Sequence, residues 1–325
     1  MSGESIPYQL RPNKAIDRYA FLELLSKINK MCPISDYHYI GFGGHSLEDF
    51  KYIHTQFNIQ KMTSIEIDED VYERQKFNRP HNCIDCYNQS SDKFIDEFER
   101  SSATIIWLDY TKANELRKQI DELQATLSKL EQCDIIKITV NSHAASYVAS
   151  DSSPGFDIKR ERIRKLRDML GDTFPAAEIT EDMMTEKKFP DAMCLVLKNA
   201  ANLAMQGQSD IYFQPLTTFT YRDGQCMLTL TGTILEHSQA KKFFETTGID
   251  KWELSNIQWQ QPQRINLPEL TIRERLFIDS LLPQSSAEEI QQALKFKFDK
   301  KESLKMLETY IRFYRQSPYF SRIML

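Results

Sequence analysis

Three glycines stand within four positions, at Gly41, Gly43 and Gly44, in a chain of 325 residues that contains only 10 glycines. The aromatic and branched residues before them are typical of a β-strand, and the apolar spacing after them suits a helix. Because glycine has no Cβ, the backbone here can turn tightly and approach a ligand closely. A strand, a glycine turn and a helix N-terminus together predict a nucleotide-type site. A purely structural turn is the alternative for the glycines alone.

Two acidic residues close later strand-like runs. Glu66 comes 22 residues after Gly44, the spacing at which an acid reaches ribose hydroxyls and accepts hydrogen bonds from both. Helix capping is the alternative role for an acid here, and we assign it to Asp68, which precedes a predicted helix. Asp109 ends the apolar run 104–110, and ligands of open α/β sheets bind beyond the carboxyl ends of the strands.

These residues need a chain that alternates strands with helices, and the sequence predicts one. The predicted strands lie at 37–42, 61–68, 82–87, 104–110 and 134–140, with a closing pair at 176–180 and 192–197. Helices separate the first five, and a basic helix covers 156–170. Such alternation predicts an α/β fold with a mostly parallel sheet.

The pattern changes near residue 206, so we predict a domain boundary between residues 205 and 206. Beyond it, 211–219 and 227–235 are β-like, 252–259 is strand-like, and capping-box sequences begin at Thr271 and Ser286. We therefore expect a smaller α+β domain over 206–325, with a winged-helix-like or dimerisation role.

Composition excludes several classes of protein. A hydrophobic content of 41% and a charged content of 27% are those of a soluble globular protein. The net charge of −5 provides no general basic field for nucleic acid. Cys83 and Cys86 form a lone C-x-x-C, so we predict no metal site. The N-terminus lacks a signal-peptide pattern and no run nears the ~18 apolar residues of a membrane span, so we expect a cytoplasmic protein.

Three motifs resemble those of class I S-adenosylmethionine-dependent methyltransferases. Ile40-Gly41-Phe42-Gly43-Gly44 resembles the first motif, Thr63-Ser64-Ile65-Glu66-Ile67-Asp68 the second, and Ile106-Trp107-Leu108-Asp109-Tyr110 the fourth. The resemblance implies a Rossmann-like, mostly parallel seven-stranded sheet over 1–205 and S-adenosyl-L-methionine as cofactor. The cofactor-binding residues that it implies are Gly41, Phe42, Gly43, Gly44, Ser46, Glu66, Ile67, Asn88 and Asp109.

The chain departs from the family pattern in three ways. Tyr37-His38-Tyr39-Ile40 lacks the acid that commonly precedes the glycines. Asn88 stands where an acid often holds the adenine amino group, although its carbonyl can still accept a hydrogen bond. No Asn/Asp-Pro-Pro-aromatic sequence follows Asp109, which argues against amino-methylation of bases. We therefore expect methyl transfer to oxygen.

Four residues resemble the Lys-Asp-Lys-Glu tetrad of ribose 2′-O-methyltransferases, with Asp in place of Glu. They are Lys14 on the leading helix, Asp109, Lys137 on the fifth strand, and Asp191 before the last predicted strand. A buried lysine among carboxylates can deprotonate or orient a hydroxyl group. The alternative is that Lys137 reaches solvent from the end of its strand.

The sequence leaves the acceptor and the partners open. The chain resembles bacterial proteins labelled only as "putative O-methyltransferases", some linked to phage defence. Arg160, Arg164 and the basic C-terminal helix keep RNA or an anionic metabolite as candidates, and the C-terminal domain suits a homodimer or a complex subunit. Two other classes remain as alternatives: a catalytically silent cofactor- or nucleotide-binding subunit, and a nucleotide-dependent oxidoreductase with His143 as the nearby proton donor.

Overall fold

The computed structural model describes residues 11–149 and 155–317. These residues form two compact units. The larger unit consists of Phe21–Thr220 and Gln225–Gln263, and the described part of the smaller unit comprises 11–20, 221–224 and 264–317. The division does not coincide with the boundary that we predicted between 205 and 206, because the strands between 211 and 236 belong mainly to the larger unit.

Eight strands form one sheet in the order β3-β2-β1-β4-β5-β7-β6-β8. They are β1 (His38–Gly41), β2 (Lys61–Glu66), β3 (Ile84–Asn88), β4 (Thr104–Asp109), β5 (Ile135–Asn141), β6 (Ile211–Arg222), β7 (Cys226–Glu236) and β8 (Gln263–Ile265). The first five strands pair in parallel, and β7 pairs antiparallel with β5. The predicted Rossmann-like, mostly parallel sheet is confirmed, with eight strands rather than seven.

Helices follow the strands as the alternation predicts. They are α1 (Pro12–Ile28), α2 (Glu48–Phe57), α3 (Glu69–Asn78), α4 (Ser91–Glu97), α5 (Leu116–Leu127), α6 (Ile158–Leu170), α7 (Phe189–Ala204), α8 (Ala240–Thr247), α9 (Ile272–Leu281), α10 (Ala287–Leu294) and α11 (Ser303–Phe313). No helix in the described ranges combines the length and the apolar character that a membrane span needs.

The core explains why the central strands are apolar along their whole length. All seven residues of β5 are buried, as in strands that are covered on both faces. On one face, Ile136 and Ile138 pack with the apolar stripe of α5 and with α7. On the opposite face, Phe21 of α1 packs edge-to-face against Trp107 of β4, with ring centroids 5.4 Å apart.

The closing strands predicted at 176–180 and 192–197 are wrong. The second segment lies inside α7, and the first contains no strand. A short apolar run does not distinguish a buried strand from a buried helix, and here the stripe continues at helical spacing to Ala200 and Ala201. The antiparallel strands that complete the sheet are β6 and β7. The run 252–259 is not a strand either.

The smaller unit is held together by specific polar contacts. Asn13 Nδ2 donates to Asp223 Oδ1 (2.9 Å) and to the carbonyl of Arg222 (3.0 Å), while the backbone N–H of Leu267 donates to Asn13 Oδ1 (2.9 Å). The two predicted capping boxes, which begin at Thr271 and Ser286, are confirmed at the start of α9 and α10.

Candidate functional site

The carboxyl ends of β1, β2 and β4 lie side by side. Gly41 pairs with Ser64 of β2 on one side and with Trp107 of β4 on the other, so Glu66 and Asp109 each lie two residues beyond these pairs. The strand order reverses between β1 and β4, and open α/β sheets bind ligands at such a switch point. The fold therefore gathers the predicted glycine loop and both predicted acids at one edge of the sheet.

The glycine loop needs two of its glycines for different reasons. A Cβ added to Gly43 would collide with Leu47 Cδ2 and lie 2.6 Å from Ser64 Oγ, so the loop or these side chains would have to shift. Gly44 has a φ of +51° and nothing within 4 Å of an added Cβ, so it supplies the turn and leaves open space. Helix α2 begins at Glu48 rather than at Ser46, which lies within the turn.

Buried polar side chains fix the loop from behind. The Gly43 N–H donates to Ser64 Oγ (3.2 Å), and the Ser64 hydroxyl donates to Gln75 Oε1 (3.1 Å). Ser64 and Gln75 are both fully buried. Asn78 Nδ2 donates to the carbonyl of His45 (2.8 Å). The loop is thus tied to β2 and α3 by contacts that no local sequence pattern indicates.

The ends of β2 and β3 present a carboxylate, an amide and an apolar side chain. The N–H of Asp68 donates to Glu66 Oε1 (2.9 Å), which fixes one carboxylate oxygen, and Asp68 caps α3 as predicted. Asn88 is exposed, and its Nδ2 donates to the carbonyl of Glu66 (3.2 Å). Ile67 is 71% exposed. These groups suit a ligand with hydroxyls and a flat apolar part.

The loop after β4 is held in place by neighbouring elements. The N–H of Tyr110, the residue after the half-buried Asp109, donates to the carbonyl of Thr139 on β5 (3.0 Å). The Tyr110 hydroxyl donates to Glu122, and the Tyr110 ring packs edge-to-face against that of Phe42, with centroids 5.4 Å apart. Burial raises the pKa of Tyr110 well above its usual value, so this hydroxyl stays a hydrogen-bond donor.

Lys137 is buried in the sheet and does not reach solvent. Its side chain is 1% exposed, and its Nζ lies 4.9 Å from the ring centroid of Phe21 and 4.6 Å from that of Trp107. Two aromatic faces thus surround the ammonium group, an arrangement that stabilises a cation. Lys137 pairs with Trp107, two residues before Asp109 on the adjacent strand.

Asp191 does not join Lys137. It lies in the first turn of α7 rather than before a strand. Helix α7 packs with Ile136 and Ile138, whereas the side chain of Lys137 alternates to the opposite face of the sheet. Burial raises the pKa of Asp191, and Lys188 partly offsets this. Lys14 belongs to the smaller unit, where its backbone N–H donates to Asp223 Oδ2 (2.8 Å).

A polar cluster beyond β5 contains none of the residues of the predicted tetrad. His143 Nδ1 lies 3.3 Å from Glu186 Oε2, and Arg162 Nη2 lies 2.9 Å from Glu186 Oε1. Arg162 is 4% exposed, and its Nη1 also donates to the carbonyl of Met184 (2.7 Å). The position of His143 after a strand was the one signal in the sequence, because its partners come from two distant segments.

The predicted basic surface of α6 is largely paired with acids. Arg160 lies 3.4 Å from carboxylates of Asp157 and Glu181, and Arg164 lies 2.6 Å from Glu161. Neutralised side chains attract a polyanion weakly. Binding of RNA or an anionic metabolite through these arginines therefore stays a prediction.

A family model described as "Putative O-methyltransferase" matches residues 6–325. The search of curated proteins returned no match.

Among solved structures, the chain is similar to the plantazolicin methyltransferase BpumL in complex with SAH (12% identity, 68% of this chain and 85% of that chain, TM-score 0.40). It is also similar to the N-methyltransferase NodS from Bradyrhizobium japonicum WM9 (9% identity, 69% of this chain and 98% of that chain, TM-score 0.40). A third similar structure is an O-methyltransferase, described as putative, from Klebsiella pneumoniae (10% identity, 72% of this chain and 83% of that chain, TM-score 0.40). These likenesses are too distant to carry an argument about the site.

Proposed function

The chain belongs to the O-methyltransferase family that matches residues 6–325, and from this premise we propose that it transfers a methyl group from S-adenosyl-L-methionine to an oxygen atom of an acceptor. One observation carries the cofactor assignment. The close-packed loop at Gly43 and Gly44 lies at the switch point of the sheet, beside Glu66 at the end of the adjacent strand.

The residues at this edge fit the cofactor. The open space at Gly44 leaves room for a ligand against the backbone. A carboxylate such as that of Glu66 can accept hydrogen bonds from both ribose hydroxyls. Ile67 offers apolar surface to an adenine ring, and the Asn88 carbonyl can accept from its amino group.

Charge at the start of α2 favours this cofactor over a dinucleotide. Glu48 and Asp49 occupy the first turn of the helix. A dinucleotide places its pyrophosphate at this kind of helix N-terminus, and acidic residues in the first turn disfavour a dianion there, although Lys51 partly offsets Glu48 (3.0 Å). S-adenosylmethionine has no phosphate group. The oxidoreductase alternative is therefore the weaker of the two.

S-adenosylmethionine, when bound, supplies a methyl group on a positively charged sulfur. The protein must then align the acceptor and accept its proton. We assign Asp109, at the carboxyl end of β4, to orienting the acceptor. We assign proton acceptance to the imidazole of His143, whose Nδ1 contacts Glu186 (3.3 Å). The buried guanidinium of Arg162 holds that carboxylate in place (2.9 Å).

The proposal is tested with S-adenosylmethionine that carries an isotopic methyl label. The protein is incubated with pools of hydroxyl-bearing metabolites and with RNA, and the label is followed in products and in released S-adenosylhomocysteine. Incorporation at oxygen that Asp109→Asn reduces at least ~10-fold supports the assignment. Binding without label transfer to any pool indicates the catalytically silent subunit instead, and incorporation at nitrogen contradicts O-methylation.

A further inference from the structure

Two cysteines that the sequence separates by 101 residues meet in the larger unit. Cys32 follows the end of α1, and Cys133 stands just before β5. Their Sγ atoms are 2.8 Å apart, and both residues are partly accessible. We propose that Cys32 and Cys133 form a reversible dithiol–disulfide couple, a redox modification site at the amino end of β5. It is independent of the methyl-transfer site proposed at the opposite edge of the sheet.

The backbone already holds both cysteines in position. The N–H of Cys32 donates to the carbonyl of Ile28 (3.0 Å), and the N–H of Cys133 donates to that of Ile234 (2.9 Å). The Tyr37 hydroxyl donates to the carbonyl of Cys133 (2.9 Å). A disulfide has its sulfurs about 2.05 Å apart. From the present separation of 2.8 Å, bond formation therefore requires a sulfur displacement below about 1 Å.

The two thiols differ in reactivity in a way that suits this chemistry. The hydrogen bond with Cys133 lowers the pKa of Cys32 to about 7, although burial acts in the opposite direction. The same contact raises the pKa of Cys133 above its usual value. Since the thiolate is the nucleophile, Cys32 reacts first and Cys133 resolves the product. Burial raises the pKa of Cys83 and Cys86 instead.

The oxidant that we assign is a peroxide. The Cys32 thiolate attacks one peroxide oxygen, the O–O bond breaks, and Cys32 becomes a sulfenic acid while hydroxide leaves. The Cys133 sulfur then attacks the sulfenic sulfur, the S–O bond breaks, and water leaves. Two thiols and one hydrogen peroxide give one disulfide and two waters in total. Exchange with a small dithiol reverses the reaction and oxidises that reagent.

A metal site does not explain the pair. Within residues 11–149 and 155–317, no group of three or more His, Cys, Asp or Glu residues is arranged to hold a metal ion. A disulfide between Cys32 and Cys133 would instead close a long loop that contains β1 to β4. Closure of a long loop restricts the unfolded chain, which stabilises the folded protein.

The test begins with the fully reduced, full-length protein treated with one equivalent of hydrogen peroxide. Trypsin digestion without reductant, followed by mass spectrometry, should give peptide 31–51 joined to peptide 130–137, lighter by two hydrogen atoms than the separate peptides. Cys32→Ser and Cys133→Ser should each abolish this species. Cys83→Ser is the matched control and should leave it unchanged, because its thiol is not part of the pair.

A second readout does not depend on the substituted proteins. The oxidised wild-type protein should melt at least about 5 °C above the reduced protein, and dithiothreitol should restore the lower value. A joined peptide together with this reversible shift supports the couple. Three results overturn it: no joined peptide with excess peroxide, a joined pair that contains Cys83 or Cys86 instead, or oxidation of Cys32 to sulfinic acid without a disulfide.

Discussion

Polar side chains differ in burial and hydrogen bonding between the two edges of the parallel sheet. At the amino edge, where β1, β4 and β5 begin, polar side chains are buried and bonded to one another. The Asp134 carboxylate is fully buried and accepts from Arg100 (2.6 Å) and from the Thr104 N–H (2.8 Å). His38 lies 2.8 Å from Thr63 Oγ1, both buried.

At the carboxyl edge, the buried polar groups support a backbone loop and the outer polar groups face solvent. Ser64 and Gln75 lie behind Gly43, whereas Glu66 is half-buried and Asn88 is exposed. The amino edge uses its hydrogen bonds for stability, whereas the carboxyl edge presents polar groups that could contact a ligand. Substitutions at the amino edge should therefore alter folding, and those at the carboxyl edge should alter binding.

The largest effect is expected at Asp134. Asp134→Ala leaves Arg100 and the N–H groups of Thr104 and Glu131 without this carboxylate, so we expect a loss of about 3–5 kcal/mol in the free energy of unfolding. Affinity for S-adenosylmethionine should not change in the protein that remains folded. Asp134→Asn keeps an acceptor oxygen and should lose less.

Urea unfolding and calorimetric titration of each Asp134 variant give the two quantities. A loss below about 1 kcal/mol for Asp134→Ala would show that the buried contacts of the amino edge do not stabilise the fold.

The next largest effect is expected at Gly43, where one substitution should lower both stability and affinity for the cofactor. Gly43→Ala places a methyl group against Leu47 and Ser64, so we expect about 1–3 kcal/mol of destabilisation. Because the loop must move, affinity for the cofactor should fall at least ~10-fold. Gly207→Ala is the control outside the loop, with strain from a φ of +87° but nothing within 4 Å of the added Cβ. Near-wild-type binding by Gly43→Ala would contradict the role of the close-packed loop.

Ser64→Ala should have a smaller effect. It removes the acceptor for the Gly43 N–H and the donor to Gln75, and an unsatisfied buried group costs about 1–2 kcal/mol. Hydrogen exchange of the Gly43 amide should accelerate, and cofactor affinity should fall a few-fold. Ser101→Ala removes an exposed serine that contacts Lys61 and should do neither. An unchanged exchange rate would show that Ser64 does not fix the loop.

The smallest effect concerns how the stability contributed by the amino edge depends on pH. Burial, with a smaller contribution from Lys61, lowers the pKa of His38 to about 4 in the folded protein. The unfolded chain binds this proton near pH 6.5, so folding loses stability as the pH falls from 6.5 towards 4.

After allowance for solvent screening, we expect His38 to account for about 1–2 kcal/mol of that loss. Unfolding of His38→Gln, which keeps a hydrogen-bonding side chain, should depend less on pH in this window. An identical pH dependence in the two proteins would show that His38 is not the responsible group.

The sequence predicts the local features of this site well, because strand, turn and helix signals act over short distances. The glycine loop, Glu66 and Asp109 all lie where the spacing indicates. The residues that hold these features in place do not follow from the local sequence. Gln75 lies behind the loop and Glu186 lies beside His143, and both come from elements whose packing depends on the whole fold. The short apolar run 192–197 led to a wrong assignment of the last strands, because its length suits both a buried strand and a buried helix.

The surroundings of Lys137 were equally hard to anticipate. The tetrad hypothesis implies that this lysine is buried, but not that Phe21 and Trp107 cover it. One of those rings comes from a helix about a hundred residues earlier in the chain. Cys32 and Cys133 likewise meet although they lie 101 residues apart in the sequence.

Calorimetric titration of S-adenosylmethionine into the wild-type protein and into Glu66→Ala tests whether the carboxyl edge holds the cofactor. We predict micromolar binding by the wild type and a loss of about 10- to 100-fold in the variant, since a hydrogen bond to a charged group contributes about 1.5–3 kcal/mol. The unfolding free energy of Glu66→Ala should equal that of the wild type. No binding by folded wild-type protein, or equal affinity in the two proteins, would contradict the assignment of the carboxyl edge as the cofactor site.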